Sequence, residues 1–380
     1  MNPFVYGEIT PLDAFVDREA ELDRLVGDLL AGQKVFLISP RRFGKSSLIH
    51  QALRVAGRRG ALTVELAVSS YSSYVAFLEG YARALLSVET RVDRLSAWVR
   101  ELFTGVRPEV RLEAEAGGAG RVMLAFPSVR TPRDAARLAA EVFDLPARIA
   151  TARRRRLAIA LDEFQASASF DGGQVEHALR AAVQRQREVG YVFAGSEPTL
   201  MERMLGRKRP FYKAGPVVRL DRVPADRFAG FIGSRFKRTG FRPDPGLGTA
   251  IVELAANLPY DVQRLAHELW DDVKVAGRRA VGLDQLHATL RRLLAEYDTL
   301  FEQTWQALTL PQRATLRAVV LEEGVNLLSS DVRTRHRLSG SSSVQSALAA
   351  LVRQEILMRE GDRHIVIDSL FREWVARKTF

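Results

Sequence analysis

Apolar residues along this chain fall into short unbroken runs, separated by stretches where they recur every three or four positions. The runs Lys34–Ile38, Leu62–Val68, Leu157–Leu161, Tyr191–Ser196 and Val217–Val223 read as strands. Strands that are apolar on both faces belong in the middle of a sheet covered on both sides. Between them lie helical patterns: Asp17 to Leu30, with Leu22, Leu25, Leu29 and Leu30 on one face, then about Ser73 to Phe103, about Pro132 to Arg153, and Gly173 to Val189. Strands separated by helices predict an α/β fold with a parallel sheet. Residues Val110 to Val129 alternate apolar and polar around Gly117, Gly118 and Gly120, which predicts a hairpin insertion at about 108–130. From Pro224 the pattern is almost wholly helical. From Leu308 it changes to three helices, a hairpin around Gly361-Asp362 and a last helix, the order of a winged helix-turn-helix. The expected domains are 1–223, an α/β core; 224–300, helical; and 301–380, a winged helix-turn-helix.

The turn after the first strand carries chemistry. Ser39-Pro40-Arg41-Arg42-Phe43-Gly44-Lys45-Ser46 matches the phosphate-binding loop G-x-x-x-x-G-K-[ST] at every fixed position except the first glycine. In such a loop, backbone N–H groups and a helix N-terminus converge on anionic phosphates. Gly44 lets the backbone pass close, Lys45 reaches the β and γ phosphates, and the Ser46 hydroxyl holds Mg²⁺. Ser47 completes the segment. The run Leu157–Leu161 ends in Asp162-Glu163, at the strand end where ligands bind in open α/β sheets. Asp162 is the expected Mg²⁺ acid, and Glu163 the group that polarises the attacking water. Ser196 ends the next strand. It either meets the γ phosphate or its water, or caps a strand exit. Gln165 is a candidate link between the site and the following loop, and Arg41 and Arg42 either touch phosphate or face outward.

Composition narrows the rest. A chain of 380 residues suggests two or three domains, and 47% hydrophobic content is ordinary for packed cores. The absence of cysteine excludes disulfides, thiol catalysis and cysteine metal sites, and the six histidines show no metal-ligand spacing. No apolar run approaches the roughly 18 residues of a membrane span, and the first residues lack a secretory pattern. The expectation is a cytoplasmic protein with no membrane partner. The net charge of +11 and pI near 10.2 favour a polyanionic partner. The basic residues comprise seven lysines and 49 arginines, a bias that genome composition can also produce. The run Arg153–Arg156 reads as a solvated strand entrance.

Several linked motifs resemble the archaeal-type ATPases of the STAND class, within the P-loop AAA+ superfamily. Asn2-Pro-Phe4 and Phe15-Val-Asp-Arg18-Glu19-Ala-Glu21-Leu22 look like the family's lead-in box. Ser39–Ser47 is close to its Gly-Pro-Arg-Arg-x-Gly-Lys-Thr-Ser form, and Leu161–Gln165 and Ala194–Ser196 are similar to its Walker B and sensor strands. Leu258-Pro259-Tyr260 looks like its lid element, and Asp368–Trp374 like the tail of its winged helix. The resemblance implies a P-loop NTPase core, an all-α lid and a winged helix, with ATP and Mg²⁺ as cofactors. It also implies that Pro259 lies near the adenine and that Phe15 and Val16 line the base. Three departures stand out: Ser39 replaces the first loop glycine, Asn257 stands where the lid has glycine, and the arginine after the sensor strand has three rivals, Arg207, Arg209 and Lys213.

The winged helix suggests DNA. Its expected third helix, Ser341 to Gln354, exposes Ser341, Ser342, Ser343, Gln345 and Arg353, with Val344, Leu348, Leu351 and Val352 inward. Arg333, Arg335, Arg359 and Arg363 flank that helix, and such groups bind phosphates or read base edges. An equally open use is packing on the ATPase to sense its nucleotide. Three functions follow: an ATP-driven switch that engages double-stranded DNA or a protein; a DNA-binding regulator with vestigial nucleotide turnover; and an ATP-gated, self-assembling scaffold in defence or signalling.

Overall fold

A computed structural model describes residues 1–11, 15–88, 103, 109–114, 120–126, 129–170 and 173–378. They divide into two compact units, Pro11–Asp221 and Met1–Thr10 together with Arg222–Phe380.

The first unit contains strands β1 (Lys34–Ile38), β2 (Leu62–Ala67), β3 (Glu109–Ala114), β4 (Gly120–Ala125), β5 (Leu157–Asp162), β6 (Val189–Gly195) and β7 (Val217–Arg219). Five of them form a parallel sheet in the order β2-β5-β6-β1-β7. β3 and β4 pair antiparallel as the expected hairpin, and the Gly117-Gly118 turn lies outside the described residues. Every residue of β5 and β6 is buried, which accounts for their unbroken apolar sequence. The helices are α1 (Glu19–Leu30), α2 (Lys45–Arg58), α3 (Tyr74–Leu86), α4 (Pro132–Arg153), α5 (Gln174–Val183) and α6 (Pro198–Met204). Of the helix expected up to Phe103, residues 89–102 lie outside those described. The helix expected to reach Val189 stops at Val183, because Val189 opens β6.

Alternation along β1 sorts the two cores. Val35 and Leu37 pack with Ala158, Ala160, Val192 and Ala194 under α1 and α2. Phe36 and Ile38 pack with Ile159, Tyr191 and Phe193 under α3, α4 and α5. The second layer is aromatic: Phe36 stacks on Phe193 at 5.1 Å, and Phe193 on Tyr191 at 5.5 Å. α4 opens with a capping box, Thr131 Oγ1 accepting from Asp134 N while the Asp134 carboxylate accepts from Thr131 N.

The second unit begins with α7 (Ala225–Arg238), β8 (Arg242–Pro243), α8 (Leu247–Leu254), α9 (Pro259–Val275), β9 (Ala280–Val281) and α10 (Leu283–Gln306). The parallel pair β8–β9 is a small sheet in a region expected to be helical. The winged helix follows as α11 (Leu310–Leu321), α12 (Ser330–Arg335), α13 (Ser341–Arg353), β10 (Leu357–Glu360), β11 (Arg363–Val366) and α14 (Ser369–Lys378). The boundary expected at 300/301 falls inside α10. No described helix is long and apolar enough to cross a membrane.

The first ten residues belong with this second unit rather than with the core where the sequence reading put them. Phe4 is buried against Phe236 at 5.0 Å, and Asn2 Nδ2 donates to His267 O at 3.0 Å. Tyr6 donates its hydroxyl to Glu268 Oε1 at 2.7 Å. Burial and the neighbouring Glu268 carboxylate both push the Tyr6 hydroxyl well above the usual phenol range.

Candidate functional site

Because β6 lies between β1 and β5, the carboxyl ends of these three strands stand side by side, about 4.8 Å apart. The loop leaves β1 at Ser39, whose N–H donates to the Gly195 carbonyl of β6 at 3.2 Å. Ser39 is fully buried, and its hydroxyl donates to Pro40 O at 2.9 Å. The residues of the loop with positive φ are Arg42 (69°) and Gly44 (84°), so position 39 makes no conformational demand that serine cannot meet. Gly44 is the N-cap of α2 and supplies no side-chain cap. The first-turn N–H groups of α2 have no helical carbonyls to receive them and gather at the positive end of the helix dipole.

Lys45 and Ser46 open α2 and face the end of β5. The buried Lys45 ammonium pairs with Asp162 Oδ1 and lies 3.3 Å from Glu163 Oε1. Ser46 Oγ donates to Asp162 Oδ2 at 2.8 Å. A hydroxyl beside a single carboxylate is the protein share of a Mg²⁺ site completed by phosphates and water. Among the described residues there is no cluster of three or more His, Asp or Glu side chains that could hold a metal by itself. These residues therefore fit Mg²⁺ carried in with a nucleotide.

Glu163 has a left-handed backbone, φ 51°, rare for a side-chain-bearing residue and frequent at functional positions. Its Oε2 accepts from Ser196 Oγ at 2.6 Å and from Gln165 Nε2 at 2.6 Å. Burial alone would raise its carboxyl; the Lys45 ammonium and the Ser196 and Gln165 donors outweigh it and hold Glu163 below the ordinary carboxylate value. An ionised, doubly anchored carboxylate can accept a proton or orient a water. Ser196 meets Glu163, a role neither sequence reading anticipated. Gln165 joins this network and also reaches Glu197 Oε1 at 3.4 Å. Gly195 makes room for it: a Cβ there would stand 2.4 Å from Met201 and 2.7 Å from Gln165 Oε1. The sequence showed this glycine without showing what crosses it.

The remaining expected residues are dispersed. Phe15 and Val16 are half-buried, and Phe15 packs on the α1–α2 core. Of the three rival basic groups, Arg209 pairs at 2.7 Å with the buried Glu176, and Lys213 lies over the Tyr212 ring. In the second unit, Pro259 is the first residue of α9. Asn257 takes φ 51° and donates to Val223 O at 2.9 Å, so asparagine supplies here the left-handed turn a glycine would give.

On the winged helix, Ser342, Gln345 and Arg363 are exposed. Gln345 and Arg359 line one cavity of about 520 Å³, together with His364 and the 324–329 turn. The other arginines make local bonds: Arg333 Nε to Leu328 O, Arg335 to Glu322 at 2.7 Å, and Arg359 Nε to Gly361 O. Val352, expected inward, is exposed, because it lies about 100° around α13 from Leu351, at the edge of the face that packs Val344, Leu348 and Leu351. The wing is itself tied down: Arg222 meets the Glu360 carboxylate through two nitrogens, at 2.7 and 3.1 Å, and also bonds to the Ala256 carbonyl.

Comparison with known proteins supports this architecture. Residues 299–377 match a family model described as a probable winged helix domain. No curated protein matches the chain. Among solved structures, the Walker-type ATPase PABY2304 of Pyrococcus abyssi is similar at TM-score 0.63 and 15% identity, over 98% of this chain and 99% of that one. The ORC2 protein of Aeropyrum pernix, in ADPNP–ADP complexes, gives 0.54 and 13%, over 100% and 98%. The ORC1 protein of Aeropyrum pernix, in complex with DNA, gives 0.53 and 12%, over 96% and 94%. At these identities the likeness establishes the fold: a P-loop NTPase sheet flanked by helices, followed by a largely helical region and a winged helix.

Proposed function

We propose that this chain is a Mg²⁺-dependent ATP-binding protein and slow ATPase, acting as a nucleotide-controlled switch of the STAND class whose winged helix engages double-stranded DNA. One observation carries the reading. Lys45 and Ser46 at the start of α2, Asp162 and Glu163 at the end of β5, and Ser196 after β6 are far apart in sequence, yet form one hydrogen-bonded cluster at the mouth of the loop. The loop N–H groups and Lys45 bind the phosphates, Ser46 and Asp162 hold Mg²⁺, and Mg²⁺ neutralises phosphate charge when bound. Glu163 accepts the hydrogen bond of the attacking water, and Ser196 and Gln165 fix its carboxylate. Support for DNA comes from the positive net charge and the winged helix, and from the fold shared with a protein solved on DNA. The test is ATP turnover by the purified chain with and without duplex DNA; absence of turnover in both, with no nucleotide bound, removes this reading.

A second reading has its own observation. Arg222 joins the wing residue Glu360 to the carbonyl of Ala256, two residues before the lid element Leu258-Pro259-Tyr260. In this reading the winged helix reports the state of the lid and meets a protein, or a second copy of the chain, instead of DNA. Duplex-independent turnover, with a nucleotide-dependent change in assembly size, would favour it.

A further inference from the structure

At the amino ends of the core strands, opposite the loop, three connections meet. They are the end of α2 at 54–59, the α4–β5 connection at 153–156 and the α5–β6 connection at 185–188. Together they hold nine arginines and one carboxylate, Glu188. Their proximity is explicit. Arg155 Nε donates to Gly60 O at 2.8 Å and its Nη2 to Ala61 O at 3.3 Å. Leu62 N donates to Arg156 O at 2.8 Å, Leu157 N to Glu188 O at 3.2 Å, and Arg156 approaches Glu188 at 3.7 Å. All of these arginines except the half-buried Arg153 are exposed. The surface lies roughly 17–20 Å from the strand ends that carry the nucleotide site, the length of five- or six-residue strands.

The sequence run at 153–156, taken alone, looked like a solvated strand entrance. Helix-end electrostatics accounts for Arg58 and Arg153, which sit in the last turns of α2 and α4. It does not account for the arginines of the connections, which are held beside one another against their mutual repulsion. We infer that this surface binds the phosphodiester backbone of a duplex nucleic acid, as a contact separate from the winged helix. A duplex presents one negative charge per about 1.7 Å of axis, a density that such a cluster matches. The planar guanidinium fork suits phosphate oxygens. None of the three segments exposes a large apolar side chain, so the surface lacks the apolar face with which proteins enter a bilayer. The inference rests neither on ATP turnover nor on the winged helix.

The test compares the wild type with the combined variant Arg59→Glu/Arg154→Glu/Arg185→Glu and with the lysine version of the same three positions. Each is titrated with a labelled DNA duplex, the RNA duplex of the same sequence, and anionic vesicles, over a range of salt. Mg-ATP binding and the thermal melt report folding independently of the duplex. The glutamate variant is expected to lose at least about tenfold in duplex affinity, with a log–log salt slope lower by about three. The lysine variant should stay within about threefold of the wild type. Should the glutamate variant fail to fold, limited tryptic cleavage of the wild type within 153–156 must be slowed by the duplex. Unchanged duplex affinity in the glutamate variant, no duplex binding by the wild type, binding to vesicles alone, or unprotected cleavage overturns the inference. The DNA role of the winged helix fails separately, if Arg335→Glu/Arg363→Glu leaves duplex affinity unchanged with the core arginines intact.

Discussion

The mouth of the phosphate loop and the exposed face of the winged helix are built on different plans. At the loop, five side chains from the first turn of α2 and the ends of β5 and β6 interlock, and the central ones are buried. On the winged helix, the expected contact residues are mostly exposed, and their bonds run to their own neighbourhood. A buried network has one arrangement, and removing a member leaves its partners unsatisfied. An exposed arginine paired with a nearby carboxylate loses little on substitution and keeps its freedom to meet a partner. Geometry is therefore fixed at the first region and open at the second.

The sharpest way to break this contrast is Glu163→Gln. Loss of a positioned general base should lower kcat by about 10²–10⁴ while leaving ATP affinity within a few-fold. An unchanged kcat would mean that the cluster is only structural. Next comes Lys45→Ala, expected to weaken ATP binding by about a hundredfold, the worth of charged hydrogen bonds to phosphate. Ser196→Ala should cost turnover on the order of tenfold through a misplaced Glu163, with ATP binding intact; a matching loss of affinity would instead place Ser196 on the phosphates.

pH sharpens the same point. Glu163 is held below its ordinary value of 4.5. The stability contributed by its ionised form is then complete above about pH 4.5 and lost as the pH falls through the lower folded value. Melting of the wild type and Glu163→Gln should converge only on acidification below that range. The smallest effect belongs to the wing. Glu360→Ala removes a half-exposed ion pair with Arg222, a loss of no more than about 1 kcal/mol, or roughly 2–4 °C in Tm. A much larger drop would show that the wing is locked as tightly as the loop.

What could be read from the sequence follows the same division. β5 and β6 were legible because a strand buried on both faces must be apolar throughout, and the loop because phosphate contact fixes residue types at fixed spacing. The alternation of β3 and β4 gave the hairpin, and the helical pattern gave α4 over Pro132–Arg153. Periodicity could not show that Met1–Thr10 packs with the second unit, since Phe4 and Tyr6 find partners more than 200 residues away. Nor could it show the bond between Ser196 and Glu163, which depends on β6 lying between β1 and β5. The start of the winged helix was read at 301, beside the 299 where the family model begins, although α10 runs through that point unbroken. On the winged helix the arginines were visible, but not the carboxylates and carbonyls that engage Arg333, Arg335 and Arg359.

Calorimetric titration of the full chain with Mg-ATP, beside Lys45→Ala, tests nucleotide binding at the loop most directly. Saturable one-to-one binding by the wild type, lost in Lys45→Ala while the melt shows a folded protein, is the expected result. No binding by the wild type, or equal binding by both, would contradict it.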